Sequence, residues 1–228
     1  MKDVPRRSVG PISPDDFRVR QPLFTIGEAA VYLNMSESTL RWWASQENLV
    51  HRIPTSPRRA SIPFIGLAEG LVLSAFREAG LPLQRIRPAL LRLRDEIGLE
   101  HALASQSLYT DGAEIIYDYA EKHEDVARLG DLTVVRSGQR VFGAVIETYL
   151  RRISYARDGW PNMVKLPRFK LADVVVDPRR AFGQPIFAHG AVRIEDVVDR
   201  WRAGDSMTSL AVDFGVPLDE VEDVLRVA

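Results

Sequence analysis

Residues 25–43 read Thr25-Ile26-Gly27-Glu28-Ala29-Ala30-Val31-Tyr32-Leu33-Asn34-Met35-Ser36-Glu37-Ser38-Thr39-Leu40-Arg41-Trp42-Trp43, and the fold turns on them. Thr25 followed three residues later by Glu28 is a capping box: the hydroxyl accepts from the third helical N–H and the carboxylate reaches back to the cap. Ala29, Ala30 and Leu33 then recur at helical spacing. Asn34-Met35 interrupts the stripe, and Ser36 can cap a second helix, with Met35 placed to staple against Leu40. Two short helices around a tight turn, the first with small alanines for close packing and the second opening on polar side chains, predict a helix-turn-helix.

The physical use of such a unit is plain. A major groove about 12 Å wide admits one helix. The first turn of that helix needs short or hydrogen-bonding side chains that reach base edges, and Glu37, Ser38, Thr39 and Arg41 are of that kind. A helical hairpin in an all-α domain would show the same apolar stripe, so the neighbouring residues matter. Downstream, the apolar runs around Leu49-Val50 and Ile62-Pro63-Phe64 flank a Pro/Ser/Thr/Arg stretch, as in a β-hairpin. Arg52, Arg58 and Arg59 make its tip basic. Beside a helix-turn-helix this is a wing able to reach backbone phosphates. Helices are expected at about 67–79 and 82–97, each stopped by glycine, with Ile86, Leu90, Leu93 and Ile97 as core.

The stretch Thr25-Ile26-Gly27-Glu28-Ala29-Ala30, then Ser36 to Trp43, then Leu49-Val50, with Gly80-Leu81-Pro82-Leu83-Gln84-Arg85-Ile86-Arg87 behind it, resembles the winged helix-turn-helix of MerR-type transcription regulators over residues 23–100. The resemblance implies that Thr39 and Arg41 face DNA, and that one of Trp42 and Trp43 packs the domain, with Trp43 inside and Trp42 nearer the surface. The chain departs from that family in having no effector-binding cysteine and no long coiled-coil helix, so effector sensing and promoter untwisting are not carried over.

Residues 1–22 are rich in Pro, Arg and Asp and read as a flexible arm, whose Arg6, Arg7, Arg18 and Arg20 could lie along DNA. Residues 101–170 read as a small α+β segment, with turn signals at Asp111-Gly112, Ser137-Gly138 and Asp158-Gly159 between β-prone runs and a short helix near 145–150. Residues 171–228 open with short strands at Val174-Val175-Val176 and Ile186-Phe187. Three short helices follow at about 194–203, 206–214 and 218–225. The last two again have the helix-turn-helix rhythm, but Asp213, Asp219, Glu220, Glu222 and Asp223 are the wrong charge for phosphates, which predicts a surface for protein contacts. The pattern Asp177-Pro178, then Phe182-Gly183-Gln184-Pro185, then Gly204 resembles a small domain of bacterial antitoxins. Joined to the MerR-like head, it makes the chain similar to VapB-type antitoxins of type II toxin–antitoxin modules. That likeness implies operon autorepression and neutralisation of a PIN-domain ribonuclease toxin.

Composition bounds the rest. The chain has 228 residues, 46% hydrophobic and 27% charged, with net charge −1. Residues 1–60 carry +3 and residues 171–228 carry −5. No apolar run approaches the ~20 residues of a membrane span, and the first residues lack a signal-peptide core. Zero cysteines exclude disulfides and thiolate metal sites. His51, His101, His123 and His189 are far apart in sequence and show no metal spacing. No phosphate loop or nucleophile elbow is present.

The expected protein is therefore α+β, with a winged helix-turn-helix, a small mixed or β middle segment and a C-terminal helical domain for dimer and toxin contacts. It is expected to be cytoplasmic, non-enzymatic, without metal or cofactor, and homodimeric on double-stranded operator DNA, with no membrane partner. The DNA-facing residues are expected to be Glu37, Ser38, Thr39, Arg41, Trp42, Arg52, Arg58 and Arg59. The other reading of the residues is a one-component MerR-like regulator responding to a small molecule. Deletion after about residue 171 is expected to leave a folded DNA-binding fragment.

Overall fold

A computed structural model describes residues 9–45, 48–56, 58–80, 87–88, 90–92, 94–95, 100–108, 112, 132–134 and 140–227. The architecture is α+β. Its axis is a 15-residue helix, α4 (Phe64–Glu78), in which every residue from Phe64 to Phe76 is buried. A helix apolar on all sides needs neighbours on all sides. The others in chain order are α1 (Phe17–Arg20), β1 (Pro22–Phe24), α2 (Ile26–Tyr32), α3 (Glu37–Ser45), β2 (Ile62–Pro63), β3 (Leu132–Val134), β4 (Arg140–Phe142) and α5 (Ala144–Leu150). Four strands follow, β5 (Ile153–Tyr155), β6 (Pro161–Lys165), β7 (Val174–Val176) and β8 (Ile186–Phe187), and three helices, α6 (Ile194–Arg202), α7 (Met207–Phe214) and α8 (Leu218–Val227). α4 packs against α1, β2, α5 and the 3-10 turn Ala102–Ala104. Strands β5 to β8 form one antiparallel meander in sequence order, and α6 to α8 pack on one another beside it.

Two helical glycines let α4 sit this close. A Cβ on Gly66 would lie 2.2 Å from the carbonyl oxygen of His51, and one on Gly70 would lie 2.6 Å from a Leu33 methyl. Glycine is required there because another backbone or side chain occupies the space of its missing Cβ.

The structure departs from the sequence reading at several places. The expected arm up to residue 22 is seated from Val9 onward. Val9 and Ile12 pack on the core, and Trp160 Nε1–H donates to Gly10 O at 3.0 Å. Arg18, proposed for phosphate, is 4% exposed and held by Asp16 at 2.8 Å and Asp158 at 2.7 Å. A buried cation must be paired, and two carboxylates meet that need. Arg20 is exposed beside Asp15 at 3.3 Å. Arg6 and Arg7 lie outside the described residues.

The wing is a loop rather than a two-stranded hairpin. β2 pairs antiparallel with β1; across the loop Ile53 N–H donates to Ser61 O at 2.8 Å, and at its tip Arg59 N–H donates to Ser56 O at 3.2 Å. Pro54 has no N–H to donate to a ladder, so pairing stops there. Helix α4 begins at Phe64, earlier than expected, with extended Pro63 before it.

The sheet crosses the anticipated border at residue 170: β5 and β6 lie before it, β7 and β8 after it. The hairpins at 132–142 and 153–165, the helix near 145–150 and the three terminal helices are found where the sequence placed them. Leu90 is buried as expected. Ile86, Leu93, Ile97 and the turn at 109–116, apart from Gly112, lie outside the described residues.

The acidic terminus is not the open surface its composition suggested. Asp223 Oδ2 accepts the backbone N–H groups of Lys170, Leu171 and Ala172 at 2.8, 2.8 and 3.0 Å, and Glu220 Oε2 accepts that of Asp173 at 3.1 Å. Asp213 is paired with Arg200 at 2.8 Å. Asp219 and Glu222 remain exposed. No described helix is long and apolar enough to cross a membrane.

Candidate nucleic-acid interface

The capping box forms as read. Thr25 Oγ1 accepts the Glu28 N–H at 3.2 Å, and Thr25 N–H donates to Glu28 Oε2 at 2.8 Å. Asn34, at φ 56°, turns the chain in the left-handed region that asparagine tolerates. Ser36 Oγ then accepts the Thr39 N–H at 3.3 Å and opens α3. Leu40, Trp43 and Ala44 face inward, and Trp43 is 1% exposed. The opposite face presents Glu37, Ser38 and Arg41, all exposed. Trp42 is half-buried against the core, so the two tryptophans divide as the sequence suggested.

The loop after α3 returns beside it. Arg52 Nη1 donates to Ser45 Oγ at 2.7 Å, tying the loop's root to the end of α3. Arg58, at φ 64°, and Arg59 are exposed at the tip. Between the loop, the start of α2 and α3 lies a groove of about 270 Å³. Glu37, Arg41, Arg52, Arg58 and Arg59 line it together, with Thr25, Thr55, Ser56 and Ser61 offering hydroxyls. Arg41 is ion-paired with Glu37 one turn back. Such an exposed pair is worth only about 0.3–0.5 kcal/mol, so a phosphate or base edge can displace it. Ser38 and Thr39 stand outside the groove, and the Thr39 hydroxyl lies 2.7 Å from that of Ser36.

One supporting cluster was not legible in the sequence. Glu69, buried in the middle of α4, accepts the His51 backbone N–H at 2.6 Å with one oxygen and meets His101 Nδ1 at 3.1 Å with the other. The His51 and His101 rings lie 4.7 Å apart, so the fold joins two histidines that are fifty residues apart in sequence. Burial is the largest influence on both. It pulls His51 below its ordinary value. For His101 the hydrogen bond and charge of Glu69 outweigh burial and raise it. A glutamate within an apolar helical run signals such a site, but only tertiary contact identifies its partners. Among the described residues no group of three or more His, Cys, Asp or Glu is arranged to hold a metal.

Comparison with known proteins joins this geometry to a family. Residues 22–90 match a family model described as "Putative DNA-binding HTH domain", and residues 174–228 match one described as "Protein of unknown function (DUF433)". Over 92% of its length the chain is 41% identical to "Putative antitoxin VapB45" of Mycobacterium tuberculosis, covering 95% of that protein. The chain belongs to the VapB45 antitoxin family. It is also 26% identical to "Uncharacterized protein Rv2308" of the same organism, over 69% of this chain and 66% of that one. The crystal structure of Rv2018 from Mycobacterium tuberculosis superposes with a TM-score of 0.81 at 43% identity, covering 91% of this chain and 99% of that one. This VapB45-family chain thus carries a DNA-binding helix-turn-helix domain fused to a second conserved module.

Proposed function

We propose that this VapB45-family protein binds double-stranded operator DNA as a cytoplasmic homodimer, represses its own operon and neutralises a PIN-domain ribonuclease toxin. The observation that carries the DNA half is the groove in which Arg41, Arg52, Arg58 and Arg59 converge beside the exposed opening of α3. Loop arginines on phosphates set register and supply salt-dependent affinity. In this reading Arg41, Ser38 and Glu37, exposed on α3, meet base edges in the major groove. Trp42, half-buried against the core, packs the domain and in this reading offers its exposed part to the phosphate backbone. A two-fold dimer reads two half-sites a whole number of helical turns apart. The antitoxin half rests on the likeness to VapB45.

The test is a salt titration of binding to DNA from upstream of the gene. Replacing Arg58 and Arg59 by alanine should lower the slope of log K against log salt by about two, and Arg41→Ala should weaken operator binding about ten-fold or more. Unchanged slopes and affinities in both variants would remove the assignment. Protection of RNA from the purified ribonuclease of the same operon tests the other half.

A second reading, a regulator answering to a small molecule, is favoured by a cleft of about 220 Å³ between α2, α6 and α8. It is lined by Tyr32, Phe169, Pro185, Ile194, Val198 and Val224. A ligand that shifts operator affinity with no protein partner present would establish that reading.

A further inference from the structure

His51 fastens the root of the arginine loop to the core, and it is held at three points. Its N–H donates to Glu69 Oε2 at 2.6 Å. Its carbonyl oxygen lies where a Cβ on Gly66 would come within 2.2 Å. Its ring hydrogen-bonds to the Val19 backbone in α1. Arg52 follows directly in the chain, so the seating of His51 fixes where the loop that carries Arg52, Arg58 and Arg59 leaves the core.

The cluster beneath that loop has one carboxylate and two imidazoles. The other oxygen of Glu69 meets His101 Nδ1 at 3.1 Å, and the two rings stand edge to face with centroids 4.7 Å apart. Glu69 and His101 are buried, and His51 is half-buried over them. Beyond His101 lies the uncharged Trp160 ring, at 6.5 Å. Among the described residues the other charge acting on both rings is Glu100, exposed just before the 3-10 turn. A buried carboxylate needs a cation beside it, and one imidazolium at His101 meets that need. With that proton gone, Glu69 is a buried anion among neutral partners, and lifting the loop to admit water becomes favourable. With a second proton, on His51, two like charges face each other over a single carboxylate, and lifting the loop relieves that too.

We propose that this cluster makes the seating of the arginine loop, and with it operator affinity, proton-dependent in both directions: tightest with one imidazolium, at His101, and weaker with none or with two. The proposal rests on the DNA reading above. The two rings are shifted in the directions it needs. His101 is raised from 6.5, so what it contributes to seating is complete below about pH 6.5 and fades as pH rises through its folded value. His51 is lowered from 6.5, so the contribution of its neutral ring is complete above about pH 6.5 and fades as pH falls toward its folded value. The two slopes meet near pH 6.5. An ordinary cationic surface behaves differently, gaining affinity for a polyanion steadily as pH falls.

The experiment measures affinity of the full chain for DNA from upstream of the gene, from about pH 5 to about pH 8.5 at fixed ionic strength, with melting curves at each pH. Affinity should peak near neutrality and fall about five-fold on each side, the scale expected when one proton is held differently with the loop seated and lifted. Glu69→Gln and His101→Gln should each flatten the alkaline limb, and His51→Gln, which keeps its backbone N–H, the acid limb. The wild-type profile needs no variant to fold. A flat profile, or one that only climbs toward acid pH, overturns the proposal and leaves the DNA reading standing. So does a maximum that persists in all three variants, or limbs that follow loss of folded protein in the melting curves. A chain that binds the operator at no pH overturns both.

Discussion

Gly66 illustrates how much one missing methyl group decides. Alanine is the better helix former by about 1 kcal/mol, yet a Cβ here would lie 2.2 Å from the His51 carbonyl, which is backbone and cannot swing aside. Gly66→Ala is therefore expected to destabilise the protein by about 2 kcal/mol in urea unfolding, in the range of overpacked cores. Because His51 begins the arginine loop, it should also weaken operator binding. Gly70→Ala meets the ends of two flexible side chains, Leu33 at 2.6 Å and Leu40 at 3.6 Å, and should cost less. Equal stability of Gly66→Ala and wild type would show that the loop root is free to move.

Two elements are fastened by buried carboxylates, and their pH dependence has opposite sign. Asp223 holds the segment before β7. Burial tends to raise its pKa, but three backbone N–H donors win and lower it from the ordinary 3.8. A depressed carboxylate contributes stability above its unfolded value that is lost as pH falls through the folded one. The terminal helices should thus loosen below about pH 4. Asp223→Asn should cost about 1–2 kcal/mol near neutrality, read from thermal unfolding, because three backbone donors, that of Ala172 buried, lose a charged acceptor.

His101 behaves the other way. Its folded value is raised above 6.5, so its pairing with Glu69 contributes fully below pH 6.5 and fades as pH rises through the folded value. In Glu69→Gln that extra stability between neutral and mildly acid pH should vanish, together with the firm seating of the His51 N–H. A melting-temperature profile identical to wild type from pH 6 to 8 would show that the pair carries no charge.

At the scale of the whole molecule, the anticipated division into separable parts conflicts with the sheet. Cutting at residue 171 removes β7 and β8, strips β6 of a neighbour and leaves Val164, Leu166 and Phe169 without their cover. The same cut removes Glu220 and Asp223. The truncated chain is expected to lose its cooperative thermal transition and to aggregate, since an uncovered strand edge templates association. The Arg18 clamp adds to the coupling, linking α1 at the entry of the helix-turn-helix to the β5–β6 turn through Asp158. A soluble fragment that melted like the full chain would contradict this.

Local patterns are legible in the sequence. Capping boxes, glycine stops and Asp-Gly turns act over three or four residues, so α2, α3, the terminal helices and the 153–165 hairpin were written in the sequence, and so were the residues that open α3 and arm its loop. The tertiary structure alone decided which strand β2 would pair with, that Arg18 would be buried, that Glu69 would join His51 to His101, and that Phe182 would stand in water on a strained turn. Those outcomes depend on contacts between residues tens to more than a hundred positions apart. Only the competition of all such contacts for one core selects among them, and no local pattern records its result.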